Sequence, residues 1–193
     1  MRNAEFDKEA VLRAAMIAFM DKGYAKTSMQ DLKAATGLHP GSIYCAFENK
    51  RGLLLAALGQ YRADRATEFE YFFAGQGTVL IALKKYLDHI VQECLSCEAA
   101  QACLLTKALN ELAEQDDEVQ VILIENLADW QSSVAEVFRQ AITAGELTGK
   151  RSAEKLSRFF IMGIYGLRTY AQTHPEAEIM HELAEQLFSD LCQ

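Results

Sequence analysis

Apolar residues recur every three or four positions along almost the whole chain, and only Pro40 and Pro175 interrupt it. That spacing places one side of each segment on one face of a helix, whereas a half-buried strand would alternate every second residue. Val11, Leu12, Ala15, Ala18 and Phe19 form the first such face, with Asp7 as N-cap and Gly23 as stop. Leu80, Leu83, Leu87, Ile90, Cys94 and Cys97 make a continuous stripe, and Leu123, Leu127, Trp130, Val134, Val137 and Ala141 make another, ended by Gly145. Ser152 can cap a helix carrying Leu156, Phe159, Gly163, Gly166 and Tyr170, and Pro175 opens a last one with Ile179, Leu183, Leu187 and Leu191. The predicted fold class is all-α.

The rhythm changes over residues 25–52, where two short helical segments meet at Gly37. Ser28 caps the first, with Asp31 three residues on as a capping-box variant, and Met29, Leu32 and Ala35 are expected to face inward. Pro40 opens the second, which buries Ile43 and Phe47 and leaves Gly41, Ser42 and Tyr44 outside the core. A packing helix followed by two short helices around a glycine turn describes a helix-turn-helix unit. Asn49-Lys50-Arg51 puts two cations at the next helix start, where the helix dipole opposes them unless an anion binds. With the hydroxyls of Thr27 and Ser28, these groups read as phosphate clamps around a recognition helix. The expected division is residues 1–52 as a DNA-binding domain and 53–193 as a larger helical body.

Thr27-Ser28-Met29-Gln30-Asp31-Leu32 through Gly37, then Gly41-Ser42-Ile43-Tyr44, Phe47, Lys50 and Leu53, resembles the signature of the tetracycline-repressor (TetR) family of bacterial regulators over roughly residues 7–55. The resemblance implies a three-helix DNA-binding domain on a helical body that dimerises and binds a small-molecule effector. It assigns Thr27, Ser28, Tyr44 and Lys50 to phosphates and His39, Pro40, Gly41 and Ser42 to the vicinity of the bases of double-stranded operator DNA. His39 stands where a serine-like cap is common, Pro40 where a polar or basic residue is common, and Ala46 where histidine or tyrosine is frequent, so the operator sequence does not carry over.

In the body, the last two helices are the expected homodimer face, with Phe159, Gly163, Gly166, Leu183 and Leu187 on it. Tyr86, Trp130, Met162 and Tyr165 are candidate walls of an effector cavity, or else core. Asp116-Asp117-Glu118 is expected on a solvated helix face. His89, Cys94, Cys97 and Cys103 lie close in sequence, but the two cysteines of the C-x-x-C pair fall on an apolar stripe and read as small buried hydrophobes. No metal and no cofactor are therefore expected. Cys103, expected to open a helix in a Cys-Leu context, is the candidate for an alternative oxidant or electrophile switch.

The net charge of -8 argues at first against a polyanionic partner. Its distribution removes the objection: residues 1–55 hold eight Lys/Arg against six Asp/Glu, and the rest eleven against twenty-one. No apolar run reaches the length of a membrane span, and the charged N-terminus does not read as a secretory signal, so a cytoplasmic protein with no membrane partner is expected. Five cysteines, an odd number, suit reduced thiols. The motifs of common hydrolases, zinc peptidases and phosphate-binding loops do not occur, and the chain is not expected to be an enzyme.

Overall fold

The computed structural model describes residues 6–75, 77–96, 111–112 and 116–192. Among these residues there are eight α-helices and no strand: α1 (Lys8–Lys22), α2 (Met29–Thr36), α3 (Pro40–Phe47), α4 (Lys50–Phe73), α5 (Val79–Ser96), α6 (Asp117–Thr143), α7 (Ala153–Tyr170) and α8 (Ala177–Cys192), with a 3-10 turn at Ala171–Thr173. The all-α reading holds.

Local chemistry explains the short N-terminal helices. The Ala10 amide donates to Asp7 Oδ1 at 3.0 Å, and the Gly23 amide closes α1 on the Phe19 carbonyl at 2.9 Å. At α2 the capping box is complete: Asp31 N donates to Ser28 Oγ at 3.2 Å while Ser28 N donates to Asp31 Oδ2 at 2.8 Å. His39 does the work of the expected serine, since its Nδ1 accepts from Gly41 N at 3.2 Å. Asn49 caps α4 by accepting from Gly52 N at 2.9 Å. Gly52 itself is required by close approach, because the Phe47 carbonyl oxygen occupies the place where a Cβ would stand.

The chain forms two compact units, the first from residues 1–65 with 102–123 and the second from 66–101 with 124–193. They follow a different line from the division expected at residue 52. In the first unit, Val11, Leu12, Ala15, Phe19, Leu32, Ile43 and Phe47 pack with Leu53, Leu54, Leu58 and Tyr61 of α4. Val119 and Leu123 of α6 complete that core, one turn apart and both almost fully buried. Leu123 thus belongs with the N-terminal helices and not with the body stripe that its spacing suggested. Ala35, expected inside, is exposed.

The second unit has the larger core, built from α5, α6, α7 and α8 around Leu83, Leu87, Ile90, Val134, Phe138, Phe160, Ile164 and Met180. Glu146 caps α5 from afar, its two carboxylate oxygens accepting from Val79 N at 3.0 Å and Leu80 N at 2.8 Å. The α7–α8 contact closes on Gly163, where any Cβ would run into the Leu187 methyl groups. Gly163 and Leu187, both assigned to the expected dimer face, pack against each other within the chain.

Candidate nucleic-acid interface

On α3 the sequence separates two faces. Ile43 and Phe47, four residues apart, go into the core at 0% and 7% exposure. Gly41, Tyr44 and Cys45 are exposed on the other side, with Tyr44 at 50%, and His39 is exposed at the cap; Pro40 and Ser42 are half-buried. Pro40 sits at the first helical position, where it gives up no backbone hydrogen bond. The result is a short helix with a small-residue opening and a protruding phenol, shaped for close approach to a groove.

The groups flanking α3 are arranged less freely than their residue types suggested. Thr27 is 1% exposed, and its hydroxyl donates to the Gly23 carbonyl at 2.6 Å. Its side chain therefore locks the α1–α2 turn and is not presented to a ligand. Ser28 is exposed, and its hydroxyl donates to Asp31 Oδ2 at 2.6 Å. Lys50 is half-buried: Nζ donates to the Tyr24 carbonyl at 2.9 Å and the Thr27 carbonyl at 3.0 Å, 4.3 Å from the centre of the Tyr24 ring. Two of the three ammonium donors are thus committed, leaving one for an anion.

The cations at the start of α4 do find anions, but those of Arg51 come from the chain itself. Its guanidinium grips Asp116 at 2.5 and 2.7 Å and Glu118 at 2.7 Å. This corrects two expectations at once: Arg51 is no free phosphate clamp, and Asp116 and Glu118 are not merely solvated. Glu111 adds a further acidic brace, accepting from Ala25 N at 3.1 Å. The Arg51 guanidinium, then the Val119 amide, hold the Asp116 carboxyl down at about 2. Likewise Lys22, 2.7 Å away, and the Ser28 donors hold Asp31 well below the usual carboxylate range. Arg13 ties α1 to α4 through Asp64 at 2.8 and 2.9 Å.

The remaining candidates lie in the second unit. Tyr86 is 3% exposed and edge-on to Phe69, as a core residue would be. Trp130 and Tyr165 are half-buried with ring centres 6.0 Å apart. Met162 is 60% exposed, so it lies on the outside and not on an inner wall. Gly166 and Leu183 are exposed and Phe159 is half-buried against the core. Cys94 is buried as expected, whereas Cys97 and Cys103 lie outside the described residues. Sequence reasoning overlooked Asn126, which is 5% exposed; neither its Oδ1 nor its Nδ2 has a hydrogen-bond partner among the described residues. A lone Asn on the inner side of a long amphipathic helix, one turn before Trp130, was the available signal.

A capped helix pair presenting the polar side of its second helix, on a unit with its own core, is the architecture of a helix-turn-helix reader of DNA. The family model for bacterial regulatory proteins of the tetR family matches residues 11–57, and that for the tetracyclin repressor-like C-terminal domain matches 80–187. The chain therefore belongs to the tetR family of bacterial transcription regulators. The HTH-type transcriptional repressor ComR of Escherichia coli is 27% identical over 180 residues, 93% of this chain and 86% of that protein. The transcriptional regulator AcuR of Cereibacter sphaeroides is 24% identical over 177 residues, 90% of this chain and 81% of that one. Among solved structures, a cysteine mutant of the tetR-family regulator CifR complexed with 26-base-pair operator DNA superimposes with a TM-score of 0.84 at 25% identity, covering 97% of this chain and 98% of that chain.

Proposed function

We propose that the protein is a homodimeric repressor whose grip on operator DNA is relieved by a small molecule. The carrying observation is the two-sided α3, with Ile43 and Phe47 sunk in the core at 0% and 7% exposure while Gly41 is exposed and Tyr44 stands out at 50%. In this reading residues 1–52 read DNA, in the cytoplasm where the DNA is, and residues 53–193 sense and dimerise. His39, Pro40, Gly41 and Ser42 approach the bases. Tyr44 and Ser28 contact phosphates, Lys50 offers its remaining donor, and Thr27 contributes by holding the turn. The family's operator complex and the repressor in its name among the relatives support this reading.

Dimerisation is supported by the outer sides of α7 and α8. Met162, Gly166 and Tyr170 follow one another at four-residue spacing on α7, and Ile179 and Leu183 are exposed on α8 at 38% and 41%. An apolar row of this kind on two adjacent helices suits a four-helix interface across a twofold axis. Effector binding is supported by Asn126, because a buried amide without a partner costs about 1–3 kcal/mol until water or a ligand satisfies it. A ligand held by Asn126 beside Trp130 and Tyr165 would stabilise one body conformation, and by linkage weaken the operator.

The test is capture of genomic fragments by the purified protein, with light scattering on the complex. Enrichment of an inverted-repeat site bound by two chains is expected. Recovery of fragments without sequence preference, or one chain per site, contradicts the proposal.

A further inference from the structure

From the second unit we infer a binding site for a divalent transition-metal cation of the zinc type, formed by Glu68, His89 and Glu93. The site is independent of the effector reading above. His89 and Glu93 stand one turn apart on α5, which puts both on the same helix face, and Glu68 comes from α4. His89 Nε2 lies 2.8 Å from Glu68 Oε1 and 4.0 Å from Glu93 Oε1. One candidate donor atom from each of the three residues lies within 4.8 Å of the others. A zinc ion bonded to imidazole nitrogen and carboxylate oxygen at about 2.0–2.2 Å needs its ligand atoms about 3.4 Å apart. Binding an ion would open the 2.8 Å separation and close the 4.0 Å one toward that figure.

The surroundings favour a cation site over a simple ion pair. Glu68 Oε1 is hydrogen-bonded to His89 Nε2, and Glu93 Oε1 stands 4.0 Å from the same ring nitrogen. Glu93 is also oriented from behind: Arg168, with its side chain 9% exposed, donates from Nη2 to Glu93 Oε2 at 3.0 Å, which turns Oε1 toward His89. An outer partner holding a ligand by its second oxygen is a recurrent device around bound metals. Phe72, 5.1 Å from the His89 ring centre, walls one side. One nitrogen and two oxygens match zinc and its neighbours in the first transition row, better than magnesium or calcium, which take oxygen alone. This departs from the expectation of no metal, which weighed only the histidine and cysteines close together in sequence and missed Glu68, twenty-one residues before His89.

The test uses the full chain, stripped with chelator and free of DNA, so that its outcome is separate from that of the repressor proposal. Calorimetric titration with zinc chloride is expected to show one ion per chain. Cobalt(II) should give a visible spectrum of nitrogen and oxygen ligation without thiolate charge transfer. His89→Gln and Glu68→Gln should each weaken zinc binding by about tenfold or more, with far-UV circular dichroism confirming the helical fold. If either variant fails to fold, the wild-type cobalt spectrum and the rise of Tm with zinc decide alone. No zinc uptake by the wild type, a thiolate band, or undiminished binding in the folded variants overturns the assignment.

Discussion

The two units hold themselves together in different ways. In the first, charge and caps do much of the ordering: Arg13 on Asp64, Lys22 on Asp31, Arg51 on Asp116 and Glu118, and Lys50 on two carbonyls. In the second, a broad apolar core dominates, and the polar groups within it stand out, Asn126 without a hydrogen-bond partner among the described residues and Arg168 against Glu93. A small reader has little apolar surface to bury, so polar ties fix the pose of its short helices. The second unit has the larger apolar core, with Asn126 and Arg168 buried in it.

Substitutions can break that contrast. The largest effect is expected from Phe160→Ala, which removes a fully buried ring from the body core and should cost about 3–5 kcal/mol. Chemical denaturation measures it, and a loss under about 1 kcal/mol would mean that the body core is not the tight one described. Next comes Leu123→Ala, at about 2–5 kcal/mol. Its distinctive signature is place: hydrogen exchange should quicken in α1, α2 and α3 while α7 and α8 keep their protection. Quickening confined to α7 and α8 would return Leu123 to the body.

Asn126→Leu should stabilise the chain by about 1 kcal/mol, since it replaces an unsatisfied buried amide with an apolar side chain of similar size. A drop in stability would show that the amide has a partner after all.

The smallest effect is that of acid on the ties of the first unit. Asp116 is held at about 2, and Asp31 is also lowered, so the folded forms bind protons less readily than the unfolded chain. Their contribution is therefore complete above about pH 4, the ordinary carboxylate value, and is lost as pH falls through the folded values. Both groups keep some exposure, 16% for the Asp116 side chain and 28% for Asp31, so the loss should be modest and should shrink in high salt. Arg51→Met should flatten the Asp116 part of the profile; an identical acid profile in this variant counts against the tie.

How much the sequence disclosed follows from how local each signal is. Asp7, Ser28, Gly37 and Pro40 act within three or four residues of themselves, so the helix limits of the reader and the inward Ile43 and Phe47 could be read directly. The Thr27 hydroxyl looks available beside a capped helix, but the turn folds around it and engages it with the Gly23 carbonyl. Arg51 raised the correct demand for an anion, yet its carboxylates stand 65 and 67 residues further on, beyond any local pattern. The same holds for Gly163 with Leu187, where a stripe announces that a face is buried but not against what. Glu68, His89, Glu93 and Arg168 come from three helices and share no motif.

The claim that α3 is the DNA-facing element can be tested on the unmodified protein, because Cys45 is an exposed free thiol one residue after Tyr44. Alkylation by iodoacetamide, followed peptide by peptide with mass spectrometry, should proceed readily without DNA. With saturating captured operator DNA, modification of Cys45 should be strongly suppressed while that of Cys192, at the end of α8, continues at its own rate. Equal labelling of Cys45 with and without bound operator would contradict the assignment of α3 as the reading helix.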